Sequence, residues 1–267
     1  MTTQFRCLAL ALIVVFRAAA ESNTTNILDG VTANTASPFT LGDSGPFNFL
    51  LITNGGRLTN TAGTIGNSSL AFSNLAVVTG TGSVWVNEGS FIVGDLGRAN
   101  SLIVENAAIL RADSTFIGND SADNRAVIRN ASVFNAGPLW IGTSSNASGN
   151  LLSLTGPGTV WTSASRITLG RDGSDNQIAI TDGAVLRLGS PGTTGFTVGN
   201  SAMSRGNRLV VSGLGSGLLG NWGLILGFTG SDNSLVVSDG ALVQSDYADI
   251  GQNCFARDNV AFVTGGG

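Results

Sequence analysis

The chain has 267 residues, of which 38 are glycine, 42% are hydrophobic and only 11% are charged. This composition is too apolar for a disordered linker and too rich in glycine for a helical protein, so it favours a β-rich, turn-rich fold. The sequence has no histidine, and all 13 basic residues are arginine, which excludes a histidine-based triad, a histidine metal site and a Schiff-base lysine. The net charge of −4 argues against nucleic acid as a partner, because phosphate binding needs a basic patch.

Residues 1–20 have the pattern of a secretory signal peptide. Arg6 precedes a short apolar core, CLALALIVVF, and residues 18–20 offer a small-residue cleavage site before Glu21. The mature chain then has one cysteine, Cys254, and 11 arginines against 17 acidic residues, a net charge of about −6. The apolar core of roughly ten residues is shorter than the ~20 that a transmembrane helix needs. No membrane-spanning segment is therefore predicted in the mature chain.

Residues 21–38 are polar and rich in threonine and asparagine. Within them, the turn-like sequence LDGV at residues 28–31 is similar to turns found later in the chain. We interpret this segment as a partial first coil that caps the open edge of a repeat array, which then runs over residues 39–267.

An aliphatic residue followed by glycine recurs through the array at intervals of 24 to 29 residues, a period typical of a solenoid. The pairs are Leu41-Gly42, Ile65-Gly66, Val93-Gly94, Ile117-Gly118, Ile141-Gly142, Leu169-Gly170, Val198-Gly199, Leu226-Gly227 and Ile250-Gly251.

An asparagine follows each of these glycines by six or eight residues. The nine positions are Asn48, Asn74, Asn100, Asn124, Asn150, Asn176, Asn207, Asn233 and Asn259. The second and fourth residues after each asparagine are apolar, which predicts a five-residue β-strand with one face on a core. Parity then places the asparagine itself inside, where it can hydrogen-bond to the asparagines of the coils above and below.

The period and the three short apolar runs in each repeat predict an all-β fold, a right-handed single-stranded parallel β-helix of about nine coils of 24 to 29 residues. Long repeats differ from short ones by two residues in each of two turns, an even number that keeps every side chain on its own face. One repeat breaks this rule with a loop, LGSPGTTG, at residues 188–195, which is the most irregular part of the array.

The repeats resemble a known family. VVTGTGSVWVNEGSFIVGD at residues 77–95 and NSLVVSDGALV at residues 233–243 are similar to the "VTGxGSxWTNSGxLxVGxSGxxNxLxISNGGxV" arrays in passenger regions of bacterial autotransporter-type surface proteins. The resemblance implies export, a β-helical stalk and, in that family, display by a C-terminal membrane β-barrel. This sequence ends at Gly267 part-way through a repeat, so we expect an incomplete array that lacks such a barrel.

A carbohydrate-active enzyme of this fold would need clustered carboxylates on neighbouring coils. Asp123, Asp175 and Asp232 each precede a predicted inward asparagine, but on alternate coils, which predicts a column with spacings of about 10 Å and no close pair.

Calcium is a second hypothesis, through Asp172 and Asp175 or Asp120 and Asp123 in glycine-rich turns, but neither turn matches a known calcium loop. Aspartate in such turns more often caps its own backbone.

Trp85 and Trp161 occupy the same position in two long repeats. If exposed, they could stack on sugar rings, whereas the alternative is that they pack over a turn.

The sequence therefore assigns no catalytic, cofactor-binding or metal-binding residue. It favours a non-enzymatic stalk or passenger region of an exported bacterial surface protein, found at the cell surface or outside the cell, with a host surface or glycans as its partners. The alternative is a secreted β-helix that binds or cleaves carbohydrate.

Overall fold

A computed structural model describes residues 22–135, 137–189 and 195–265. The predicted signal peptide at residues 1–20 and the centre of the predicted loop, residues 190–194, lie outside the described residues. Within the described ranges the chain forms 28 β-strands and no helix. These strands belong to three parallel sheets, and the chain visits each sheet once per coil.

Sheet A follows the asparagine positions and contains ten strands. They are β1 (Thr25–Asp29), β4 (Phe49–Thr53), β7 (Leu75–Thr79), β10 (Ser101–Glu105), β13 (Arg125–Arg129), β16 (Leu151–Thr155), β19 (Gln177–Thr181), β22 (Arg208–Ser212), β25 (Ser234–Ser238) and β28 (Val260–Val263).

Sheets B and C contain nine strands each. Sheet B is formed by β2 (Thr32–Asn34), β5 (Arg57–Asn60), β8 (Val84–Asn87), β11 (Ile109–Ala112), β14 (Ser132–Asn135), β17 (Val160–Ser163), β20 (Val185–Leu188), β23 (Gly217–Leu219) and β26 (Leu242–Val243). Sheet C is formed by β3 (Phe39–Leu41), β6 (Gly63–Ile65), β9 (Phe91–Val93), β12 (Thr115–Ile117), β15 (Leu139–Ile141), β18 (Ile167–Leu169), β21 (Phe196–Val198), β24 (Gly223–Leu226) and β27 (Tyr247–Ile250).

This arrangement confirms the predicted parallel β-helix of about nine coils. The aliphatic residue of each predicted aliphatic-glycine pair is the last residue of a sheet C strand, as Leu41 is for β3. Residues 21–38, interpreted from the sequence as a capping segment, contribute β1 and β2, and β1 pairs with β4 in the register of the later coils.

The core runs along the axis of the β-helix and is filled by the alternate residues of all three sheets. In sheet A the burial pattern of β4 is repeated in β7, β10, β16, β19 and β25, with the second and fourth residues inside. Short and long repeats therefore keep the same faces, as an even insertion requires. The sequence predicted this face of the core correctly for every sheet A strand from β4 to β25.

The last coil differs from the others because no described residue covers it. Ile250 holds the position in β27 that Leu226 holds in β24, yet Ile250 is 56% exposed and Leu226 only 2%. Val263, predicted to face the core, is 78% exposed. The C-terminal end of the described β-helix is thus an open, apolar edge, whereas Leu28 of β1, at the other end, is fully buried.

Candidate functional site

The asparagines form a continuous buried ladder, as predicted. From Asn48 to Asn233 each side chain is at most 2% exposed. Every Oδ1 atom from Asn74 onward accepts two hydrogen bonds from the preceding asparagine, one from its backbone N–H and one from its Nδ2. The distances between Nδ2 and Oδ1 are 2.8 to 3.3 Å. An aspartate could not replace asparagine here, since an ionised carboxylate has no N–H to donate.

The ladder begins one coil earlier than the asparagine pattern indicated. Thr24 occupies the first rung, and its backbone N–H and Oγ1 both donate to Oδ1 of Asn48, at 3.0 and 2.5 Å. Threonine can make this bond with its hydroxyl, although it lacks the amide that continues the column. A search for asparagine alone misses this rung.

Each glycine after a sheet C strand makes room for the ladder asparagine of the next coil. A β-carbon at Gly118, for example, would overlap the side-chain amide of Asn150. The same overlap would occur at eight of the nine glycines, from Gly42 to Gly227. At Gly251 the nearest atom to such a β-carbon is the carbonyl oxygen of Ala256, at 3.5 Å, so this space holds no asparagine of the described chain.

The predicted aspartate column has a backbone role. Asp123, Asp175 and Asp232 have φ angles of 62°, 56° and 60°, because the residue before each ladder asparagine is in the left-handed conformation. Asparagine, aspartate and glycine adopt this conformation most readily. Glycines 149 and 206 occupy the same corner on the intervening coils. The three aspartates therefore lie on alternate coils, as the sequence predicted.

The sequence reasoning missed one member of this column, Asp258, which lies one coil beyond Asp232. Both carboxylates are exposed, and with Arg205 and Arg257 they line a surface depression of about 320 Å³. The backbone N–H of Asp232 donates to the carbonyl of Arg257, which fixes the two corners side by side. The sequence predicted aspartates on alternate coils only. It did not predict that Asp232 and Asp258 would lie on adjacent coils.

Asp120, one of the residues of the calcium hypothesis, lies in a hydrogen-bonded turn. Asp120 accepts hydrogen bonds from Oγ of Ser144 and from Nδ2 of Asn146 on the next coil, the latter at 3.1 Å. No group of three or more histidine, cysteine, aspartate or glutamate residues in the described ranges could hold a metal ion. Asp120 thus joins two turns, as aspartate in a turn commonly does.

Trp85 and Trp161 are neither exposed for stacking on sugars nor packed over a turn. Both indoles are fully buried in the core, where Trp85 packs edge-on against Phe91 with ring centroids 4.9 Å apart. Nε1 of Trp85 donates to Oδ1 of Asn60 at 2.7 Å, and Asn60 in turn donates to Asn87. Parity explains the result, since these tryptophans take the inward position that Leu58 and Leu110 fill on other coils.

A different tryptophan lies on the outside of the β-helix. Trp140 is the central residue of β15, and it packs against Phe116 of β12 with ring centroids 4.7 Å apart and an angle of 31° between the rings. Both side chains are half-buried, and they face away from the core because their strand neighbours point inward. Beside Trp140 is a depression of about 350 Å³ that is also lined by Arg166, Thr168, Arg171 and Asn200.

Period-two alternation could have signalled this aromatic pair. Phe116 and Trp140 each lie between two inward residues of a three-residue sheet C strand. The alternation therefore extends from the five-residue strands of sheet A to the shorter strands of sheet C. The neighbouring arginines come from different turns, so only the coiling of the chain brings them beside Trp140.

These features define the chain as a protein of the parallel β-helix class, with a structural asparagine ladder inside and an aromatic depression outside. Comparison of the chain with protein-family models, with curated proteins and with solved structures finds no match. In the described part of the chain no helix is long and apolar enough to cross a membrane.

Proposed function

We propose that this protein is a non-enzymatic β-helical stalk or passenger region of an exported surface protein, with a structural or adhesive role. The observation that carries the proposal is the uninterrupted asparagine ladder. The same pair of hydrogen bonds joins Asn48 to Asn74 at one end and Asn233 to Asn259 at the other. A regular rod is suited to holding an attached surface at a distance, and ten strands of sheet A at about 4.8 Å spacing give roughly 45 Å.

The identical hydrogen bonds between successive coils support a modular role. Gly251 has space for an asparagine amide, and Asn259 has a backbone N–H at the position from which each earlier ladder asparagine donates to the next coil. Because these groups match those that join the described coils, a further coil of the same pattern fits the C-terminal edge. Stacking of identical units is how repeat proteins build long scaffolds.

Export is supported by the N-terminal pattern of residues 1–20. It can be tested with alkaline phosphatase, an enzyme that becomes active only after export, fused after Thr264 in a Gram-negative host. We expect phosphatase activity from the full chain and its loss when residues 1–20 are deleted. An equal signal from the two fusion proteins would contradict the proposal, and a Leu10→Arg variant in the apolar core gives a control of unchanged length.

The alternative of a carbohydrate-cleaving β-helix is favoured by one specific observation, the pair of Asp232 and Asp258 beside Arg205 and Arg257. Paired carboxylates are the usual catalytic groups in glycoside hydrolysis. A screen of neutral and anionic polysaccharides for new reducing ends decides between the two functions. Turnover that is lost in both Asp232→Asn and Asp258→Asn, with unchanged melting temperatures, would replace the stalk proposal with the enzyme.

A further inference from the structure

The outer face of sheet C carries an aromatic stack that stops after two rings. Phe116, Trp140 and Thr168 are consecutive in the sheet register, so they occupy one column on three adjacent coils. Phe116 packs against Trp140, and the depression lies on the other side of Trp140, where Thr168 replaces a third ring. Thr168 is only 7% exposed, so it forms part of the floor of the depression beside Trp140.

Two arginines border this depression. Arg166 immediately precedes β18 and Arg171 follows it by two residues, so they approach the depression from the two ends of the strand that carries Thr168. Both side chains are exposed, and neither forms an ion pair or a side-chain hydrogen bond with a described residue. Their guanidinium groups are therefore free to bind an anion from solvent.

The remaining lining residue is Asn200, which comes from the coil after Thr168. Its backbone N–H donates to the carbonyl of Gly170 at 2.9 Å, so its position relative to Arg171 is fixed by the coil-to-coil register. No hydrogen bond of its side-chain amide to a described residue is present. The side-chain amide can donate and accept hydrogen bonds, as sugar hydroxyl groups require.

We propose that this depression binds one acidic sugar unit of an anionic polysaccharide. A pyranose ring can lie on the free face of Trp140 and continue the aromatic stack, since indole offers a large, rigid apolar surface. The guanidinium groups of Arg166 and Arg171 match the planar geometry of a carboxylate, with which arginine forms paired hydrogen bonds. The volume of about 350 Å³ falls in the range of small-ligand sites.

The charge of the whole chain favours an acidic sugar over nucleic acid. Nucleic-acid binding needs a continuous basic surface along the phosphate backbone, and the net charge of this chain is −4. Two arginines form only a local site for one anionic group. This proposal goes beyond the stalk function and does not depend on it, because the site lies on a coil in the middle of the array.

The test is a titration of the purified full chain with a hexasaccharide of galacturonate and, as the matched neutral ligand, one of galactose. Tryptophan fluorescence reports the site directly, because Trp85, Trp161 and Trp222 are at most 3% exposed and only Trp140 can meet the ligand. We expect saturable binding of the acidic ligand and affinity for the neutral one that is lower by at least about tenfold. Raised salt concentration should weaken the binding of the acidic ligand.

Three variants localise the site. Arg166→Gln and Arg171→Gln should each lower the affinity by about tenfold, and Trp140→Ala should lower it by at least as much. Arg208→Gln, an exposed arginine on sheet A, is the matched control and should bind normally. Circular dichroism checks that each variant remains folded.

Several outcomes overturn the proposal. They are the absence of saturable binding at millimolar ligand, equal affinity for the acidic and neutral ligands, and normal binding by the Arg166, Arg171 and Trp140 variants. Tighter binding of a single-stranded oligonucleotide than of the galacturonate ligand also overturns it, in favour of a nucleic-acid site. None of these results affects the export test, so failure of this site and failure of the stalk function are distinguishable.

Discussion

Gly142 and Asn176 lie on adjacent coils and share one space, because a β-carbon at Gly142 would overlap the side-chain amide of Asn176. This shared space explains why both the ladder asparagine and the glycine after each sheet C strand recur in the repeats. Asparagine is required for its donors and acceptor, and glycine is required on the preceding coil because the asparagine amide occupies the place of its side chain.

Substitution of this glycine should be more costly than its backbone conformation alone implies. Gly142→Ala must displace Asn176 and also place alanine at a φ of 71°, so we expect a loss of about 3–5 kcal/mol in unfolding free energy. Gly55 is the matched control, because it has a similar φ of 77° and open space around a β-carbon. Gly55→Ala should cost only about 1–2 kcal/mol. Equal losses in urea-induced unfolding would show that the shared space is unimportant.

The asparagine ladder can be tested at its centre. Asn150→Leu keeps a similar shape but leaves the backbone N–H and Nδ2 of Asn124 without their acceptor in a buried site. We expect a loss of about 3–5 kcal/mol. The control is Asn146→Leu on the same coil, where the side chain is exposed and the change should be within about 1 kcal/mol. Chemical denaturation of both variants makes the comparison, and a midpoint for Asn150→Leu equal to wild type would refute a stabilising ladder.

The open C-terminal edge predicts that the array can be lengthened. A second copy of residues 239–264 placed directly after Thr264 adds one coil, because Thr264 follows Val263, which pairs with Val237. The copied asparagine then enters the space at Gly251, and Ile250 and Val263 become covered. We expect a melting temperature higher by several degrees and weaker binding of a hydrophobic dye.

The matched control for this extension has leucine in place of the copied ladder asparagine. It adds the same apolar surface without the amide hydrogen bonds, so most of the increase in melting temperature should disappear. If the added coil is cleaved rapidly by protease and the melting temperature stays at the original value, the edge does not accept a coil.

One surface carboxylate should titrate below its ordinary range. The pKa of Asp239 is lowered by the hydrogen bond from Ser212 Oγ at 2.7 Å and by the one from Ser238 Oγ at 2.9 Å. A lowered folded-state pKa means that this contribution to stability is present above the unfolded pKa of about 3.8 and is lost as the pH falls through the folded value. Ser212→Ala should raise the pKa of Asp239 towards 3.8, measured by NMR titration. If the pKa of Asp239 is unchanged in Ser212→Ala, the hydrogen bond from Ser212 is not the cause of the lowered pKa.

The sequence by itself determined the class of fold, the coil length and the inward face of sheet A. It could do so because a solenoid repeats one local environment, so the alternation of Leu50 and Ile52 recurs on every coil. The interior position of Asn100 followed from the same alternation. Because short and long repeats differ by two residues in each of two turns, the inward and outward faces stay the same in both.

Only the tertiary structure decided which side chains of different coils meet. Phe116 and Trp140 are 24 residues apart in the sequence, and they stack because their strands pair in register. Arg166 and Asn200 are 34 residues apart in the sequence and line one depression because one coil separates them. Such neighbours lie across the coils, at distances in sequence that depend on the length of each turn, and no local pattern encodes their side-chain arrangement.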